Sequence, residues 1–189
     1  MIFRVEPVWR RVTPALAAEL ARFWLDNGAI ADPHVAQARA LDAVCVARNE
    51  SGAILAVGTA TLEVLPRLRQ PMYYYRQYFA ASFRGRRQAL PFYRRCRAEL
   101  EAHNAALARA ESLGLVLELG SPAVDAAFRR VHEPGYDAVF IGYSPLGTQL
   151  RASYFDGAVL LPITDAPVAG APDPGGWAQA RAARRPGVA

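Results

Sequence analysis

The segment from Tyr73 to Arg97, YYYRQYFAASFRGRRQALPFYRRCR, constrains the fold more than any other part of the chain. Its aromatic run reads as a strand, Arg84-Gly85-Arg86-Arg87-Gln88-Ala89 as a tight turn, and the remainder as an arginine-rich helix. A strand that delivers the chain to exposed backbone N–H groups, and then to a helix N-terminus with its partial positive charge, is the order of parts that seats a pyrophosphate. The window Arg67 to Arg97 holds nine arginines and no Asp or Glu. An anionic ligand is therefore the first expectation.

Composition limits the alternatives. With 189 residues and 52% apolar content the chain reads as one globular domain that can bury a core without staples. Net charge is +5, and the excess is concentrated in the middle of the chain, which points to a site more than to general adhesiveness. Every basic residue is arginine, which forks onto phosphates and cannot serve as a general base. Cys45 and Cys96 are too few and too far apart for a disulfide framework, so a reduced, cytoplasmic setting is expected. His34, His103 and His132 lack ligand spacing, so no metal is expected. The sequence shows neither a signal peptide's apolar block nor a segment able to span a bilayer, so no membrane partner is expected.

Along the chain, Phe3 to Val12 reads as a first strand. Thr13-Pro14 opens a helix that Asn27-Gly28 ends, and Asp32-Pro33 opens a shorter one. Ala43 to Arg48 and Ala53 to Leu65 read as a hairpin around Glu50-Ser51-Gly52. Pro66 to Pro71 connects to a strand over Met72 to Ala81, followed by a helix from about Arg87 to Glu111. Gly114 to Leu119 reads as a strand, and Pro122 to His132 as a helix capped by Ser121. Tyr136 to Tyr143 and Thr148 to Leu161 read as a closing hairpin. From Asp165 the chain is rich in Ala, Pro and Gly and reads as a disordered tail, which leaves residues 1–164 as the domain.

The resulting order, β-α-α-β-β-β-α-β-α-β-β, resembles the GNAT (general-control-related N-acetyltransferase) superfamily over roughly Phe3 to Leu161. The most specific part is the turn. The family's acetyl-CoA loop reads Gln/Arg-x-x-Gly-x-Gly/Ala, and here Arg84 matches its first position and Ala89 its last. Gly135-Tyr136 matches a second pair that opens a later strand. There are departures. Arg87 replaces the central glycine, Ser121 replaces an Asn that often starts the later helix, and Phe128 falls near a tyrosine that often serves as general acid. Three extra residues around His132-Glu133-Pro134 precede Gly135.

The resemblance implies an α/β fold whose six- to seven-stranded, mostly antiparallel mixed sheet is flanked by about four helices. It also implies a splay between the strand of Phe79 and the strand of Leu117. It further implies that an acyl-CoA is bound by the backbone of Phe79, Ala80 and Ala81 and by the N–H groups of Gly85, Arg86, Arg87, Gln88 and Ala89. The Arg84, Arg86 and Arg87 side chains would assist at the phosphates, and Ser121 and Phe128 would border the same site. Acyl transfer to an amine needs a placed thioester, a polarised carbonyl and a group that removes a proton. Glu63 and Glu118, carboxylates on apolar strands, are the candidates for that base; as single residues each also fits the outward face of an alternating strand. Cys96 fits a buried structural thiol. The leading reading is an N-acyltransferase, acetyl in the first instance, acting on a small-molecule or peptide amine as a monomer or homodimer. Two others stand beside it: a GNAT-like protein that has lost catalysis and binds CoA or a partner, and, ranked last, an arginine-rich nucleic-acid binder.

Overall fold

The computed structural model describes residues 3–66, 68–85, 87–120 and 128–162. The expectations for Arg86, Ser121, Pro122 to Ala127 and the tail from Asp165 lie outside the described residues. β1 (Phe3–Pro7) leads to α1 (Pro14–Asp26) and α2 (Pro33–Ala40), then to β2 (Ala43–Asn49), β3 (Ile54–Leu65) and β4 (Gln70–Phe79). A 3-10 turn (Ala81–Phe83) and α3 (Ala89–Ala106) follow. β5 (Gly114–Glu118), β6 (His132–Glu133), β7 (Ala138–Tyr143) and β8 (Gln149–Tyr154) complete the sheet, ordered β1-β2-β3-β4-β5-β8-β7-β6.

The mixed, mostly antiparallel sheet is the expected class. Its eighth strand arises because His132–Glu133 pairs with Ala138–Val139, where the sequence reads as the end of a helix. The helix starts follow the local signals. Thr13 Oγ1 accepts from Leu16 N at 3.2 Å, and Asp32 Oδ1 accepts from His34 N at 2.8 Å. Both prolines sit in the first turn, where a missing N–H costs nothing. The ends depart from the sequence reading. α3 stops at Ala106 because buried Asn104 reaches across to the chain that turns back. Asn104 Oδ1 accepts from Glu111 N and Ser112 N, and its Nδ2 donates to Ser112 O. Phe128 to Val131 is not helical: Arg151 donates to Phe128 O at 2.7 Å and to Arg130 O at 2.9 Å and holds that stretch open.

The sheet has two packed faces, as the alternation along β4 shows. Tyr73 and Tyr75 join Phe92, Tyr93, Cys96 and Leu100 of α3 in one core. On the other face, Tyr78 packs with Leu20, Phe23 and Trp24 of α1. β3 approaches α3 so closely that a Cβ on Gly58 would lie 2.6 Å from Cys96 Sγ. Burial in this cluster, reinforced by Cys45, pushes the Cys96 thiol well above its ordinary value, as suits a structural thiol.

β4 and β5 run parallel but pair only from Tyr73 to Tyr75, against Leu115 to Leu117. Beyond Tyr75 the two strands separate, and β4 continues to Phe79 with β3 as its neighbour on one side alone. This is the expected splay.

Candidate functional site

The separation of β4 and β5 opens a cavity of about 690 Å³ that passes from one face of the sheet to the other. Tyr75, Gln77 and Phe79 of β4, Leu117 of β5 and Leu119 just after it line its waist. On the α3 side it is bounded by Ala89, Tyr93, Phe128 and Tyr136. The α1/α2 side divides into an apolar wall of Trp24, Ile30, Val57 and Tyr78 and a polar wall of Arg39, Thr59, Arg76 and Glu118. Arg76 to Phe79 form a strand edge without a β5 partner, so the backbone groups on that side face the cavity and can pair with an extended ligand.

The turn after β4 is built from two left-handed residues, Gly85 at φ 75° and Arg87 at φ 55°. Glycine takes this conformation freely, whereas a residue with a Cβ does so at a cost. The helix therefore begins at Ala89, two residues later than the sequence suggests, with Gln88 at the N-cap and no side-chain cap bond. Phe92 N donates to Gln88 O, and Pro91 has no N–H. That leaves the N–H groups of Ala89 and Leu90 without an acceptor within the helix, beside the cavity that Ala89 lines. Arg84 folds back: its Nε donates to Phe79 O at 3.0 Å and its Nη2 to Tyr78 Oη at 2.8 Å. Its guanidinium is thus a brace for the strand end.

Among the other expected contacts, Phe79, Ala89, Phe128 and Glu118 come together around the cavity. Ala80 and Ala81 do not. Ala80 N is engaged by Leu55 O at 2.9 Å, and Ala81 lies exposed in the 3-10 turn. The open edge lies earlier in the chain, at Arg76 to Phe79, where β3 pairs with one side of β4 and β5 has already separated from the other.

The two carboxylates part company. Glu118, with a side chain 12% exposed, stands at the polar wall, where Tyr74 Oη donates to Oε2, Thr148 Oγ1 donates to Oε1, and Arg76 Nη2 lies 3.9 Å from Oε2. Ser144 Oγ lies 2.5 Å from Thr148 Oγ1 and accepts from Leu146 N and Thr148 N, so the β7–β8 turn braces the carboxylate. Glu63 lies instead in an adjoining polar recess of about 280 Å³, with Asp42, Thr61 and Tyr74. It accepts from Thr61 Oγ1 at 2.9 Å. Burial pushes the Asp42 carboxyl up to about 6, opposed by the charges of Arg39 and Arg10 and reinforced by Glu63.

Sequence reasoning missed Tyr136, Tyr93, Arg39, Arg76 and Asp42 as parts of the site. Tyr136 carried a signal, since it follows Gly135 in the second motif. Its ring centre is 5.2 Å from that of Phe128 and 4.9 Å from that of Tyr93. Burial raises the Tyr136 hydroxyl above its ordinary value and pushes Tyr93 up to about 12. Tyr93 donates its hydroxyl to Tyr136 O at 3.1 Å. Among the described residues no group of three or more His, Cys, Asp or Glu side chains is placed to hold a metal ion, and no helix is long and apolar enough to cross a membrane.

No family model and no curated protein matches the chain. Solved structures similar to it include an acetyltransferase of the GNAT family from Streptococcus pneumoniae, 11% identical with a TM-score of 0.46 over 82% of this chain and 99% of that one. Another, an acetyltransferase of the GNAT family from Listeria monocytogenes 4b F2365, is 16% identical with a TM-score of 0.45 over 81% and 95%. A possible acetyltransferase from Clostridium difficile 630 is 10% identical with a TM-score of 0.39 over 67% and 85%. These likenesses are partial and concern shape alone. The chain's strand order, its parallel β4–β5 pair and the split that opens beyond that pair are the sheet class that the resemblance of its sequence to the GNAT superfamily implies.

Proposed function

We propose that the chain is an acyl-CoA-dependent N-acyltransferase that moves an acyl group, acetyl in the simplest case, from CoA to a primary amine. The carrying observation is a cavity running through the sheet, with an uncapped helix start near one end and a braced carboxylate at the other. The parts fit an acyl-CoA in three ways. The N–H groups of Ala89 and Leu90, with those of Gly85, Arg87 and Gln88, suit a pyrophosphate. The open edge Arg76 to Phe79 suits an extended amide-bearing arm. Arg87, exposed beside the turn, can reach a phosphate.

In the reaction the amine nitrogen bonds to the acyl carbon, the carbon–sulfur bond breaks, and one proton leaves the amine while one reaches the sulfur. Glu118 takes the first proton. Its hydroxyl donors and Arg76 fix the carboxylate's orientation toward the cavity. Tyr136, which lines the cavity beside Phe128, supplies the second from a hydroxyl that, like any tyrosine's, is protonated at neutral pH. Glu63, separated from the cavity waist, serves as an electrostatic neighbour of Asp42.

Among the described residues, several arginines of the run are engaged within the chain. Arg84 braces β4, Arg94 donates to Gly135 O at 3.2 Å, and Arg97 binds Glu101, Tyr154 O and Asp156. This disfavours the nucleic-acid reading. The loss-of-catalysis reading has two arguments, Arg87 in place of a glycine and Phe128 in place of a tyrosine, and against the second stands Tyr136, whose ring lies beside that of Phe128.

The test is calorimetric titration with acetyl-CoA, followed by turnover on a panel of amines. Wild-type protein binds, and Ala89→Ile, which crowds the helix start, does not. Glu118→Gln binds but loses roughly 10²–10⁴-fold in kcat/KM. Absence of acetyl-CoA binding by the wild type would overturn the reading.

A further inference from the structure

We propose that Gln77 is a catalytic residue whose side-chain N–H groups donate to the acyl carbonyl oxygen and stabilise the negative charge that gathers there, with Tyr75 as its positioning residue. The inference rests on the acyltransferase reading and supplies the group that polarises the carbonyl.

The thioester belongs at the waist of the cavity. The waist lies between the helix start that suits a pyrophosphate and Glu118, which takes the proton of the amine. Among the described residues of the waist, Phe79, Leu117 and Leu119 are apolar, and Tyr75 gives its hydroxyl to Gln77 itself. Gln77 is the remaining member, and it takes the second position of the open edge Arg76 to Phe79. As the amine nitrogen bonds to the acyl carbon, the carbonyl oxygen gains negative charge. In an apolar waist a fixed N–H donor beside that oxygen is worth far more than in water.

The carboxamide is held in one orientation. Gln77 lies opposite Gly58 in the β3–β4 ladder. Because Gly58 has no Cβ, Tyr75 Oη and Cys96 Sγ fill the space there, 3.0 and 2.6 Å from where that atom would stand. The buried Tyr75 hydroxyl thus meets a thiol on one side and, at 3.1 Å, Gln77 Oε1 on the other. It has one proton to donate, and a carboxamide oxygen is a far better acceptor than sulfur. Burial pushes the Cys96 thiol well up, which leaves it a donor and not a rival acceptor. Oε1 therefore faces the core. Nε2, at the other end of the planar carboxamide, is left for the cavity that Gln77 lines, and it has no other partner among the described residues.

The test reads the carbonyl itself and so needs no acceptor. With acetyl-CoA isotope-labelled at the carbonyl carbon, infrared difference spectroscopy should find the thioester C=O stretch at lower frequency on the wild type than on Gln77→Met. Gln77→Glu, which keeps the shape and removes the donors, should lose the shift as well. Tyr75→Phe, which frees the carboxamide, should lose part of it. On an amine that the wild type acylates, Gln77→Met and Gln77→Glu should each lower kcat roughly 10²-fold with little change in the KM for acetyl-CoA. Tyr75→Phe should lower kcat less, and should add no further loss of kcat to a protein already carrying Gln77→Met, as a purely structural defect at Tyr75 would. A C=O stretch that is the same on the wild type, Gln77→Met and Gln77→Glu overturns the proposal and leaves the acyltransferase reading intact. So does a Gln77→Met that weakens acetyl-CoA binding with kcat unchanged, because Gln77 would then hold the arm and not the reacting carbonyl. A wild type that binds no acetyl-CoA overturns both.

Discussion

Arg87 shows how a single residue can hold a loop shape that its neighbours impose. It sits at φ 55°, where glycine would rest without strain. A left-handed residue with a Cβ costs about 1–2 kcal/mol, and glycine's greater unfolded-state freedom returns roughly 0.5–1 kcal/mol of that. Arg87→Gly is therefore expected to raise the melting point slightly, by up to ~1 kcal/mol of stability. Because the guanidinium is proposed to reach a phosphate, the same change should weaken acetyl-CoA binding about tenfold by calorimetry. Tighter binding would instead mark Arg87 as an obstruction. Asp42 gives a second test. Its folded carboxyl titrates at about 6 against 3.8 for the free group, so the folded state holds more protons between those values. Stability therefore falls as pH rises through that window. Asp42→Asn should flatten the fall and stabilise the protein at pH 7, on the order of 1 kcal/mol once partial exposure is discounted. A denaturant series at pH 4 and pH 7 reads the difference, and an unchanged slope would refute it. At this scale the sequence revealed residues whose chemistry is local. Ala89 and Arg87 stand in a turn motif and Glu118 on an apolar strand. Arg39 and Arg76 reach the cavity only through pairing and packing, which their neighbours in the chain do not record.

The elements were legible at their starts and less so at their ends, for a physical reason. A helix start is fixed by a cap within three residues, as Thr13 and Asp32 show. The ends are set by distant partners. Asn104 closes α3 by bonding to Glu111 and Ser112, and Arg151, buried on β8, holds the carbonyls of Phe128 and Arg130 some twenty residues earlier. Packing between elements is stricter still where α3 meets β3. The Cβ of Gly58→Ala would press on Cys96 Sγ at 2.6 Å and Tyr75 Oη at 3.0 Å, both in the buried core. Overpacking of this kind costs roughly 1–3 kcal/mol. Gly58→Ala is thus expected to lower the urea midpoint, and the paired change Gly58→Ala with Cys96→Ala should restore part of it. An additive loss in the double variant would show that Cys96 is not the obstacle.

At the scale of the molecule the topology was open to reading because an order of elements survives errors in their bounds. The split between β4 and β5 followed from a resemblance that no composition or periodicity supplied. How far the domain extends is a separate matter. Gln70, 5% exposed at the start of β4, clamps the chain after β8: its Nε2 donates to Leu161 O at 2.9 Å, and its Oε1 accepts from Leu161 N at 2.8 Å. Leu161 also packs on the core of Leu65, Met72 and Tyr74. The chain is thus tied to the sheet up to residue 161, and we propose that the domain ends near Thr164. Truncation after Thr164 should leave the melting temperature within about 2 °C of the full chain, since no described contact is removed. Truncation after Gly157 removes the clamp and leaves a buried amide without its partners. That should cost ~1–3 kcal/mol, roughly 3–10 °C in a chain of this size. Two truncations that melt alike, or a shorter loss already large at Thr164, would place the boundary elsewhere. Differential scanning calorimetry of the three lengths, with and without acetyl-CoA, makes the comparison, because a boundary that spares the cavity must also spare the ligand's stabilisation of the fold.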